Sequence, residues 1–181
     1  MTAGGVDRDA SRDRGLRLAA QALNCDRITA EVVRAMNAAD IPTVLLKGPS
    51  IARWLYPAGG RTYSDTDLLV PFQDFPRAEV VLRSLGFKGL DGVNPLERLL
   101  TAIEETTFVR RDATGVSPVA KVDLHHNLPS LPTSGASLWE AFWAESETIV
   151  VAGVEVRTSS YRARAPYRHP RRSARVPGSH R

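Results

Sequence analysis

Asp65 and Asp67 stand two residues apart at the start of an apolar run, Leu68-Leu69-Val70, with Thr66 between them and Arg61 and Ser64 just ahead. In an extended strand side chains alternate between faces. Both carboxylates therefore project the same way, about 6.5 Å apart along the chain, while Thr66, Leu68 and Val70 turn to the opposite face. Two acids on one face repel each other unless a cation lies between them. A pair of Mg²⁺ ions about 3.5–4 Å apart, bridged by such carboxylates, can clamp a triphosphate and activate an attacking oxygen. The plainer alternative is an exposed strand end whose acids are solvated.

Further residues bear on that choice. Asp123 alternates with Val122 and Leu124, so it shares a strand face with Lys121 and His125, and a third carboxylate there would complete a metal site. His125 could polarise a substrate or support Asp123, although one histidine beside another is more often a packing or surface residue; His126 points the other way and reads as structural. Upstream, Lys47-Gly48-Pro49-Ser50 follows a short apolar run. A turn from strand into helix aims free N–H groups and the positive end of the helix dipole at an anion, and Gly48 would let phosphate oxygens approach closely. Lys47 could add a point charge to a β- or γ-phosphate, or be a plain surface lysine at a strand end. Arg61 could reach phosphate or pair with Asp65 or Asp67. Trp54, Tyr56, Trp139, Phe142 and Trp143 sit at helical spacing that suits a core, so none is assigned to the site.

The elements that must position these groups follow from periodicity. Leu16, Ala19, Ala20, Leu23, Ile28, Val32, Met36 and Ala39 predict one long or broken helix over 16–39, ended by Asp40-Ile41-Pro42. A buried strand is expected at 43–46, then a helix with Pro49 at its first turn and Ile51, Ala52, Leu55 and Tyr56 inward, stopped by Pro57-Ala58-Gly59-Gly60. The carboxylate strand at 66–70 leads to Asp74 as N-cap of a helix reaching Leu85. An edge strand at Phe87-Lys88, a helix over 95–103, two strands at 106–111 and 119–126 joined by Asp112-Ala113-Thr114-Gly115, a helix over 138–144, and a hairpin turning at Ala152-Gly153 complete the pattern. The fold class is α/β (α+β), a mixed sheet covered by helices with a late β-hairpin.

A chain of 181 residues with 43% hydrophobic content suits one domain. It divides into a disordered N-terminus over 1–15, a domain over 16–160 and a disordered Arg/Pro-rich tail over 161–181. The net charge of +4 belongs to the tail: seventeen basic against twenty acidic side chains leave residues 1–160 at −3. With seven arginines, three prolines and almost no aliphatic residues, the tail cannot bury enough surface to offset its ordering entropy. It is either solvated or a sequence-independent contact for phosphate backbones, the one route to nucleic acid. The single cysteine, Cys25, cannot form an internal disulfide and reads as a core or near-core residue. With no long apolar stretch, the expectation is a soluble, cytoplasmic protein away from membranes.

Leu45-Leu46-Lys47-Gly48, Leu55-Tyr56, Arg61, Ser64-Asp65-Thr66-Asp67-Leu68-Leu69-Val70, Leu85-Gly86-Phe87 and Val122-Asp123-Leu124-His125 together resemble the nucleotidyltransferase superfamily related to the DNA polymerase β palm, especially its poorly characterised bacterial branch. The resemblance spans roughly residues 27–158. The chain departs from the usual pattern in having Lys47-Gly48 where Gly-Ser is common. The resemblance implies a Mg²⁺-dependent transferase that uses two ions and an NTP such as ATP as donor, with an unknown hydroxyl acceptor. It makes Asp65, Asp67 and Asp123 the metal-binding and catalytic residues, with Asp123 as general base, and Lys47, Gly48, Ser64 and Arg61 the nucleotide-binding ones. Relatives of this branch look longer, continuing into helices that shape the acceptor site, whereas the composition here changes abruptly after Ser160. That suggests a truncated or frame-shifted relative, and the rival to an active enzyme is a non-catalytic remnant that binds nucleotide or a partner. Translating the gene's other frames tests the idea: a helix-coding continuation is expected in one of them, and its absence from all counts against it.

Overall fold

In the computed structural model, residues 6–47, 63–90, 105–128 and 135–160 are described, side chains from residue 12 onward. The expected helices at 49–56 and 95–103, with Trp54 and Tyr56, and the tail over 161–181 lie outside them. Helix α1 runs unbroken over Val6–Ala38, so helix extends into the stretch expected to be disordered over 1–15. Its 33 residues make a rod of about 50 Å. Cys25, Ile28, Val32 and Met36 on its second half are buried, as their spacing predicts. Leu16 and Leu23 are 62% and 69% exposed, because the helical turn sets them on the side of α1 opposite Cys25 and Val32. Asp40, at φ 53°, turns the chain out of the helix while Ile41 N–H donates back to the Met36 carbonyl.

Seven strands form one mixed sheet: β1 Val44–Leu45, β2 Thr66–Leu69, β3 Lys88–Gly89, β4 Glu105–Arg111, β5 Pro118–His125, β6 Ser146–Val151 and β7 Val154–Ser159, in spatial order β3-β4-β5-β2-β1-β7-β6. β2 lies parallel to β5 and β1 parallel to β7; the remaining pairs are antiparallel. The hairpin turns fall where glycine and aspartate predict. Asp112 Oδ1 accepts from Thr114 and Val116 N–H ahead of Gly115 at φ 72°, and Ala152-Gly153 turns with both residues at positive φ. A second helix, α2 Phe75–Ser84, follows a 3₁₀ turn at Phe72–Asp74. Asp74 holds the N-cap position, but its carboxylate takes the Arg77 guanidinium instead of a helix N–H. The third, α3 Gly135–Ala144, starts three residues earlier than its apolar pattern.

The faces of the sheet divide the work. Leu68, Val70, Val122, Leu124 and Phe108 pack under α1 and α2, with Ile28, Val32, Met36, Ala78 and Leu82 above them. On the other face Val44, Leu46, Leu69 and Leu128 pack against Leu138 and Phe142 of α3. Fully burying each such aliphatic contributes about 1.5–3 kcal/mol. No helix among the described residues is long and apolar enough to cross a membrane.

A bidentate ion pair joins α1 to β4: Arg110 Nη1 and Nη2 lie 2.7 and 3.0 Å from the two Glu31 oxygens, with the guanidinium 4.7 Å above the Phe87 ring. The Arg110 hydrogen bond, against partial burial, holds the Glu31 carboxyl below its ordinary value. A depressed folded-state value adds stability that is present above the ordinary glutamate range and lost as pH falls through the folded value. Glu31→Gln should therefore unfold about 1 kcal/mol more easily at pH 7. In urea melts across pH the gap to wild type should close in acid; a gap independent of pH would contradict the assignment.

Candidate functional site

Parallel, in-register pairing sets Thr66 against Val122, Asp67 against Asp123 and Leu68 against Leu124. Directly paired residues share a face, so Asp67 and Asp123 stand side by side on the face opposite α1. Asp65 precedes β2 by one residue and joins them through Lys121, whose Nζ is 2.7 Å from Asp123 Oδ2 and 3.5 Å from Asp65 Oδ2. The alternating partner is fixed from behind. Thr66 Oγ1 lies 2.8 Å from Thr29 Oγ1 of α1 in a buried hydroxyl pair, and the Cys25 thiol donates to the Asp65 carbonyl at 3.4 Å. Anchoring Thr66 to α1 turns both aspartates the other way.

Each carboxylate has a cationic neighbour. Lys47, at a bend just after β1, reaches Asp67 Oδ1 at 3.2 Å. Thr107 Oγ1 on β4 donates to Asp123 Oδ1 at 2.7 Å, leaving Oδ2 to Lys121. Asp67 and Asp123 are both 5% exposed. Burial pushes the Asp67 carboxyl up, but His125 and the Lys47 ammonium together outweigh it, so Asp67 stays below the usual carboxylate range. Burial likewise pulls the Lys121 ammonium down, and the hydrogen bond and charge of Asp123, with Asp65 adding, lift it above its ordinary value. Cys25, the expected core residue, is buried, and that burial pushes its thiol up to about 11, a protonated and inert state at neutral pH.

Of the residues singled out from sequence, Asp65, Asp67, Asp123 and Lys47 come together here, and Gly48 and Arg61 lie outside the described residues. Ser64 is exposed and lines a cavity of about 660 Å³ with Cys25, Thr66, Val119 and Lys121, between α1 and the β4–β5 edge. His126 packs edge-on against Phe72 and Phe75, as a structural residue should. Trp139 and Trp143 stack at 5.2 Å on α3, with Arg157 over Trp143. His125 sits closer to Asp67 than the expected support of Asp123 implied: its Nε2 is 3.5 Å from Asp67 Oδ1. Thr107 and Glu105 escaped sequence reasoning, since only the β4–β5 pairing brings them to this face.

The donor set suits a hard divalent cation, because all three carboxylates offer oxygen and two belong to neighbouring strands. Among the described residues no three His, Cys, Asp or Glu side chains form a ready cation cage. Lysine ammonium groups take that electrostatic role instead, and a divalent ion at Asp67 and Asp123 would have to share or replace them.

A family model described as an uncharacterised nucleotidyltransferase matches residues 9–167. No curated protein matches the chain. Among solved structures, a crystal structure of ANT(2'')-Ia in complex with adenylyl-2''-tobramycin is 16% identical, with a TM-score of 0.48 over 76% of this chain and 70% of that one. A solution structure described as that of the antibiotic-resistance factor ANT(2'')-Ia is also 16% identical, with a TM-score of 0.44 over 73% of this chain and 63% of that one.

Removing the shared counter-charge tests the cluster directly. Lys121→Met leaves Asp123 buried beside Asp67 with less compensation, and should lower stability at pH 7 by about 1–2 kcal/mol after allowance for the exposed end of the lysine. A lysine value raised on folding gives stability that is complete below the ordinary value of 10.5 and lost as pH rises through the folded one. The deficit of Lys121→Met in thermal melts should accordingly persist from neutral pH to about 10 and narrow above it. An unchanged melting temperature at pH 7 would refute the arrangement.

Proposed function

We propose that this chain, which belongs to the uncharacterised nucleotidyltransferase family, transfers a nucleoside monophosphate from an NTP, with ATP the first donor to test, to a hydroxyl acceptor. The observation that carries the reading is the register of β2 on β5, which sets Asp67 beside Asp123 with Asp65 tied in through Lys121. Asp65, Asp67 and Asp123 would hold the Mg²⁺ ions, which supply charge neutralisation at the triphosphate and lower the cost of deprotonating the acceptor. The acceptor oxygen attacks the α-phosphorus, the bond from that phosphorus to the bridging oxygen breaks, and pyrophosphate leaves. The acceptor proton passes to Asp123, whose Oδ1 is steadied by Thr107.

Lys47 is 36% exposed and stands at the end of β1, so its ammonium can move from Asp67 to a β- or γ-phosphate. Gly48, Ser64 and Arg61 would complete the triphosphate seat. Residues 16–160 are the transferase domain in this reading, extended forward by the start of α1, and a cytoplasmic setting supplies the nucleotide and the magnesium. A second reading has its own observation. Lys121 already bridges Asp65 and Asp123, which suits a remnant that binds nucleotide or a partner without turnover.

Titration calorimetry with MgATP and pyrophosphate release over an acceptor panel separate the two. The double variant Asp65→Asn/Asp67→Asn should lose both binding and turnover. Asp123→Asn should still bind and release pyrophosphate about 10²–10⁴-fold more slowly. Wild-type binding without release on any acceptor selects the remnant, and equal binding and turnover in all variants defeats both readings.

A further inference from the structure

His125 closes β5 two residues beyond Asp123 and is 2% exposed. Neither of its ring nitrogens makes a hydrogen bond. Nε2 faces Asp67 Oδ1 at 3.5 Å and Nδ1 faces Glu105 Oε2 at 3.6 Å, both beyond the ordinary range of about 2.7–3.2 Å. An unpartnered buried polar group costs about 1–3 kcal/mol, so a side chain kept in that condition calls for a role. The backbone leaves it little freedom: His125 pairs with Leu69 on β2 and with Glu105 on β4. Glu105, His125 and Asp67 therefore run as a row across three adjacent strands, and both outer members are carboxylates that can only accept.

Asp67 Oδ1 is approached twice, by Lys47 at 3.2 Å and by His125 at 3.5 Å. We infer that His125 is a positioning residue for Asp67, both ring nitrogens donating, with Nδ1–H oriented by Glu105 and Nε2–H closing on Oδ1 when the Lys47 ammonium gives way to a bound cation. A few tenths of an ångström complete the bond. The row then fixes the carboxylate's angle, and Oδ2 is presented in one orientation. Outer-sphere partners of this kind hold a ligand in its binding geometry, and their loss typically weakens metal affinity about 10–100-fold. The inference rests on the reading of Asp67 as a cation ligand.

The test measures Mn²⁺ binding to the full chain without nucleotide, by the loss of the free-ion electron paramagnetic resonance signal, beside thermal melts of the same samples. Asp67→Asn should abolish binding. His125→Gln should weaken it about tenfold in folded protein. Glu105→Gln should weaken it about threefold, and the double variant should be no weaker than His125→Gln alone, because both act through one row. A residue that serves only packing would lower the melting temperature and leave affinity unchanged. Because Glu105 is 44% exposed, its variant keeps the test decisive if His125→Gln fails to fold. Unchanged affinity in Glu105→Gln, or additive losses in the double variant, overturns the row and spares the acid cluster. Failure of the wild type to bind Mn²⁺ overturns both.

Discussion

Everything at the candidate site depends on one register, the parallel alignment of Thr66–Leu69 with Val122–His125. It puts two aspartates, each almost wholly removed from solvent, next to each other on one face of the sheet. Adjacent buried carboxylates repel and each resists losing its hydration, so the arrangement persists only with positive charge supplied close by. Slipping β2 by one residue would send Asp67 into the apolar layer under α1 and bring Thr66 out. The hydroxyl pair of Thr66 with Thr29 and the burial of Leu68 and Val70 against α1 hold the strand against that slip.

The counter-charges come from two lysines on different elements. Lys121 shares β5 with Asp123, so its bridge to Asp65 draws the residue before β2 toward the pair. Lys47 arrives from the neighbouring β1 and is partly exposed. The stability of the acid face and its readiness for phosphate thus use the same groups, since an ammonium that neutralises a carboxylate at rest is also a cation that an arriving anion can recruit. Thr107 and His125 differ from the lysines in carrying hydrogen-bond directions, and direction is what fixes the angle of a carboxylate.

The two-sided packing keeps the acids apart from the apolar layers. α1 and α2 cover one face, while α3 covers only the part of the other that carries Val44, Leu46 and Leu69. The acids lie at the opposite end of β2 from Leu69. The same strand face therefore supplies a polar site at one end and an apolar anchor at the other.

Much of this was legible in the residues themselves. The shared face of Asp65 and Asp67, that of Lys121, Asp123 and His125, the turn of His126 to the other face and both hairpin turns follow from local alternation and turn chemistry, which act over a few residues. Leu16 and Leu23 share the run of helical spacing yet are exposed, because they fall on the side of α1 opposite Cys25 and Val32, a phase that a list of apolar positions does not fix. The row through Glu105 was beyond reach for another reason. Continuing the pairing of Arg111 with Pro118 back from the turn would set Thr106 against Asp123, but a register shift between Arg110 and Arg111 brings Thr107 there and Glu105 against His125. Sequence determined which carboxylates could share a face, because that is set within one strand by covalent geometry. Only the tertiary structure decided that β2 and β5 are neighbours in that alignment, because pairing between distant segments depends on where the helices and the bulge let the sheet close.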